Sequence, residues 1–145
     1  MFNPTRDQAR DFLFDLWARY RAGAPLTPLE SLALSIVLEH PEYHAVLEDR
    51  DRYLERDWKP EGGETNPFLH LAMHLAIEEQ ASIDQPPGIR SALRALEERR
   101  GSGHEARHDA MDCLAEMVWR AQREGGAFDD GAYLDCLARK TGRGR

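Results

Sequence analysis

Three times in this chain a capping side chain is followed by a proline at what would be the first helical position: Asn3-Pro4, Thr27-Pro28 and Asn66-Pro67. A side-chain oxygen there accepts from the orphaned N–H groups of a first turn, and proline gives up an N–H that would have no partner inside the helix. The pairs therefore dictate where helices begin. At Thr27 the instruction is doubled by Glu30, which completes a capping box. The segments behind these starts have the helical period. After Asn3, Phe12, Leu13, Leu16, Trp17 and Tyr20 recur every three or four residues, predicting an amphipathic helix that ends near Gly23. After Thr27, LESLALSIVLEH is apolar enough to be a central helix. After Asn66, NPFLHLAMHLAIEEQ is apolar on nearly every side and runs to a breaker cluster, Ile83-Asp84-Gln85-Pro86-Pro87-Gly88.

The rest of the chain reads the same way. Pro41 restarts a helix carrying Tyr43, Val46, Leu47 and Leu54, with EDRDRYLERD as a solvated face and a loop from Trp58 through EGGET. GIRSALRALEERR is a surface helix with Leu93 and Leu96 facing in, closed by Gly101-Ser102-Gly103. His104 to Arg123 is a long helix with Met111, Leu114, Val118 and Trp119 on its inner side, and Tyr133 to Leu137 is a short last one. No segment has the strand period. The expected fold class is all-α, a helical bundle of about four longer helices with one or two short additional ones. A chain of 145 residues can bury a core without staples, so a single helical domain over 1–140 is expected, with 141–145 as a frayed basic tail.

Charge narrows the function. A net charge of −7 and a pI near 5.3 lack the basic footprint that phosphate backbones require, which argues against nucleic acid. No apolar run approaches the roughly 20 residues that span a bilayer, and MFNPTRDQAR places charges where a signal peptide is hydrophobic, so a cytoplasmic location is expected and no membrane. A protein partner or a homo-oligomer stays open. Cys113 and Cys136 show no CxxC spacing and read as two buried free thiols. Trp17, Trp58 and Trp119 read as packing. Gly-rich phosphate loops, a nucleophile elbow and a Cys/His arrangement are missing from the sequence, and with them any nucleotide or flavin signature.

The histidines carry the strongest pattern. All six fall in pairs four apart: His40 with His44, His70 with His74, His104 with His108. An acid stands four residues beyond each pair: Glu48, Glu78 and Asp112. The last two copies align as HLAMHLAIE and HEARHDAMD, a weak repeat of about 34 residues. Residues four apart share one helical face, so two imidazoles can converge on one ion. The acid eight residues from the first histidine lies roughly 12 Å along the axis, too far for that same ion. It would serve a second metal or support a ligand from behind.

Surroundings rank the pairs. His70 and His74, flanked by Leu69, Leu71, Met73 and Leu75, need a partner for each ring nitrogen that burial desolvates. Pro41 interrupts the first pair, which favours His44 over His40. His104 lies in a polar first turn and reads as solvated, whereas His108 is nearer Met111 and Ala115. Glu116, among apolar neighbours, could point inward. The candidate metal ligands are therefore His44, His70, His74, Glu78, His108 and Glu116, a mixed nitrogen and oxygen set suited to iron, zinc or nickel. The competing reading is a non-catalytic structural or protein-interaction module whose histidines form hydrogen-bonded pairs with Glu48, Glu78 and Asp112. Haem between two histidines is a third, without a CxxCH attachment site to support it.

HPEYH at His40 to His44, NPFLHLAMHLAIEEQ, DQPPGI at Asp84 to Ile89 and MDCLAEMVWRAQR at Met111 to Arg123 together resemble a bacterial family of uncharacterised proteins, domain of unknown function eighteen forty-one. The resemblance covers nearly the whole chain and implies a small cytoplasmic protein, with no activity attached. HxxxH followed by a carboxylate or glutamine on an inner helix is also similar to the DinB-like and hemerythrin-like four-helix bundles, which hold nickel, zinc or iron through histidines of several helices. That likeness would place His70 and His74 on the paired-histidine helix, His44 on an earlier one, and His108 or Glu116 on a later one.

Overall fold

The structure, a computed structural model, describes residues 6–58 and 66–142. Among them it is all-α, with eight α-helices, a single 3-10 turn and no strand. The Asn3-Pro4 start, the loop through EGGET and the last three residues of the basic tail lie outside the described residues. By packing, the chain divides into two compact units, Met1–Leu75 and Ala76–Arg145, with the boundary inside one helix.

In the first unit, α1 spans Arg6–Arg21 and α2 spans Pro28–Leu38. The capping box forms as the sequence predicts: Thr27 accepts from the Glu30 N–H, and the Glu30 carboxylate accepts from the Thr27 N–H at 2.8 Å. The segment after Pro41 is not one helix. It breaks into the 3-10 turn Pro41–Tyr43, α3 over His44–Leu47 and α4 over Arg50–Tyr53, the last restarted by Asp49 capping the Arg52 N–H. Short pieces of this kind are held by tertiary contacts rather than by their own propensity. One such contact is Arg10, almost fully buried on α1, whose guanidinium donates to the carbonyls of Tyr53, Leu54 and Arg56 and lies over the Phe68 ring at 4.7 Å. The Leu54 and Arg56 bonds are both 2.8 Å. The charge is buried, and carbonyls and a π face stand in for water. Leu13, Leu16, Trp17, Ile36, Val37, Phe68 and Leu71 form the core around it.

Helix α5, Pro67–Ile83, begins where Asn66 accepts from the N–H groups of Phe68 and Leu69. Its later part belongs to the second unit, with α6 over Ile89–Arg100, α7 over Gly103–Glu124 and α8 over Asp130–Lys140. Gly101 and Gly125 end α6 and α7 in the left-handed region, at φ 70° and 64°, where a Cβ would be strained. Ser102 caps α7 directly, so only two residues separate the helices. The last helix is longer than Tyr133 to Leu137, because Asp129 caps it four residues earlier.

Two expectations for α7 are corrected. Its inner face is Ala106, Ala110, Met111, Cys113, Leu114 and Met117, whereas Val118 and Trp119 are exposed, Trp119 at 56%. The helical period assigns them that side, and Trp119 rests on the Arg123 guanidinium, 4.3 Å from its ring centre. Cys113 and Cys136 are not free thiols but a disulfide. Packing of α8 on α7 brings their Cα atoms to 5.8 Å, a distance sequence spacing does not encode.

Candidate metal centre

Helix α2 ends at Leu38, and its last carbonyls turn toward solvent unless a side chain takes them. His40 does so. Its Nδ1 donates to the Ile36 carbonyl at 2.8 Å, and the residue is only 2% exposed. A carbonyl accepts and never donates, so Nδ1 carries the proton and Nε2 carries the lone pair. Metal-ligating histidines are oriented in this way: one nitrogen tied to a carbonyl, the other turned to the ion.

His44, four residues on, is placed differently. Pro41 ends the helical run, and His44 opens α3 with Nε2 donating to the Val37 carbonyl at 2.9 Å and its ring against Trp17, 4.4 Å between centres. On α5, His70 and His74 lie one turn apart, with ring centres 4.9 Å from each other. His74 is 2% exposed and 4.6 Å from the His40 ring; His70 is half-buried and 5.0 Å from it. The Tyr43 ring stacks on His40 at 5.6 Å. Burial first, and then the neighbouring Glu42 carboxylate, push the Tyr43 phenol above its ordinary range.

On α7, His104 and His108 share a face with ring centres 4.3 Å apart, both half-buried. Ser102 sets where this helix starts and so which residues share that face. Behind His108, Glu105 lies 3.9 Å from Nδ1. Within the first unit, His40, His70 and His74 thus bring three imidazole rings together, each centre within 5.0 Å of the other two. The group is compatible with a metal ion.

The model of one protein family, described as Domain of unknown function (DUF1841), matches residues 5–139. The chain belongs to that family. Neither the curated proteins nor the solved structures provide a match.

Of the ligands expected from the DUF1841 sequence, His70 and His74 stand with His40 in the first unit, and His108 pairs with His104 in the second. His44 is turned to Val37. Glu78 accepts from Arg107 Nε at 2.9 Å, and Glu97 holds the same guanidinium. Burial alone would lower the Arg107 pKa, but the two carboxylates hold it above its ordinary value. Glu116 does not point inward: it is exposed and paired with Arg120 on the next turn. The other acids of the repeat are also matched to cations, Glu48 to Arg21 and Asp112 to Lys140 at 3.8 Å.

His40, which joins His70 and His74, and His104, which pairs with His108, are the two histidines that sequence reasoning sets aside in the DUF1841 chain. The sign that could find them is the pairing itself, since each is the first of an i, i+4 pair. By sequence Pro41 argues against His40, but in the fold the His40 ring turns back to the Ile36 carbonyl at the end of α2. The polar first turn of α7 argues for a solvated His104, whereas His104 is half-buried.

Proposed function

We propose that this protein is a helical metal-binding protein whose ligands are His40, His70 and His74 of the first unit. The observation that carries the reading is the clustering of three imidazole rings with centres within 5.0 Å of one another, His40 being oriented by its bond from Nδ1 to the Ile36 carbonyl. Imidazole donors suit iron, zinc or nickel. Glu78 is matched to Arg107 and is not among these ligands.

Elemental analysis of untagged protein, purified without chelator, tests the proposal. Near-stoichiometric metal is expected in the native chain, and His74→Ala should lose most of it, because the two remaining nitrogens bind far more weakly. A His74→Ala protein that keeps its full metal content overturns the assignment.

A second reading has one observation in its favour. His40 and His44 both donate to carbonyls at the end of α2, which is what histidines of a purely structural module would do. That reading expects no metal in the native protein and none taken up on titration.

A further inference from the structure

We infer that His104 and His108 form a second divalent-cation site, lying wholly on α7 and separate from the histidines of the first unit. Both ligands belong to one helix, so the inference stands whether or not His40, His70 and His74 hold metal.

The pair repeats on α7 the HxAxHxA pattern that α5 carries from His70 and His74 onward. Four residues advance a helix by a little over one turn, which stacks the two imidazoles on one side. Their ring centres are 4.3 Å apart, and each ring offers a nitrogen within 4.8 Å of the other's. Metal–nitrogen bonds of about 2.1 Å hold two nitrogens of one ion roughly 3 to 4 Å apart, so a modest ring rotation closes the pair on an ion. The contact with α8 uses the other side of α7. Ala106, Ala110 and Cys113 lie roughly half a turn round from the imidazoles, and Cys113 is bonded to Cys136 of α8.

The start of a helix disfavours a cation, and acids offset that here. Glu105 stands 3.9 Å from His108 Nδ1, on the side from which a carboxylate raises the basicity of an imidazole that binds metal through its other nitrogen. The neighbouring cations are occupied, Arg100 by Glu105 and Asp109, and Arg107 by Glu78 and Glu97. Two imidazoles leave the remaining positions on the ion to water, which makes it exchangeable. Nitrogen donors select zinc, nickel or copper(II) over magnesium and calcium, which take oxygen.

Equilibrium dialysis of the full, metal-stripped chain against zinc, read by elemental analysis, tests the site. Native protein is expected to take up zinc that His104→Asn and His108→Asn each bind at least about tenfold more weakly, a loss that even a residue supporting a metal ligand can cause. His40→Asn should keep that zinc. Uptake by His104→Asn equal to native overturns the inference, and so does a loss common to His104→Asn and His40→Asn, which means one ion shared by both sets of histidines. A loss confined to His104→Asn and His108→Asn supports this site and not the one in the first unit. Copper(II), titrated up to two equivalents into the native chain, gives a check free of substitution. Its paramagnetism should broaden the imidazole proton signals of His104 and His108 together, and signals that stay sharp, or that broaden at different copper levels, overturn the pair as a chelate.

Discussion

Tyr133 shows how far one buried side chain can be held from its ordinary behaviour. It is fully buried on α8, its hydroxyl donates to Gln80 Oε1 at 2.7 Å, and burial pushes the phenol well above the usual tyrosine range. The sign comes from proton counting. Above about pH 10 the unfolded chain releases this proton and the folded chain keeps it, so stability falls as pH rises through that window and onward toward the folded value. Tyr133→Phe removes the titration and the hydrogen bond together. It should lose on the order of 1 kcal/mol at neutral pH, with Gln80 left short of a donor. It should also show a flatter decline in denaturant midpoint between about pH 9 and 11 than the native chain. Equal slopes for the two proteins would contradict this account.

At the scale of elements, the helix starts are the most legible part of the sequence. Thr27 and Asn66 cap where Ser/Thr/Asn–Pro logic places them, because capping is a local event between residues two or three apart. Glu30 is 8% exposed and also receives Arg19 at 2.8 Å, so the start of α2 is tied to α1 as well. Thr27→Ala should therefore destabilise by about 1 kcal/mol in urea unfolding, and Thr27→Ser should restore most of the loss. Features that depend on distant chain are not legible. The breaks after Pro41 and the Cys113–Cys136 bond are set by what packs against them. The candidate site is half-visible for the same reason: i, i+4 spacing marks a histidine pair, but which member turns toward the others depends on carbonyls such as that of Ile36. The acids fail as ligands because an arginine from elsewhere in the fold reaches Glu78 first.

For the molecule as a whole, family membership over residues 5–139 supplies a name without an activity, so the histidine chemistry must be tested through global observables. An ion that binds only the folded state adds stability by mass action. At about a hundredfold excess over its Kd it contributes roughly 2.7 kcal/mol, and stripping it should lower Tm by on the order of 10 °C. A thermal melt with and without a strong chelator, after verified metal removal, measures this directly; coincident curves would argue for the structural reading. The disulfide acts at the same scale but on connectivity. Residues 125–129, which join α7 to α8, are mostly exposed and outside any helix, which makes them a natural site of proteolytic entry. A cut there should sever the backbone without releasing a fragment. The piece that begins after the cut remains fastened to the other through Cys136 and Cys113, so nicked and intact protein should migrate together on a denaturing gel until a reductant parts them.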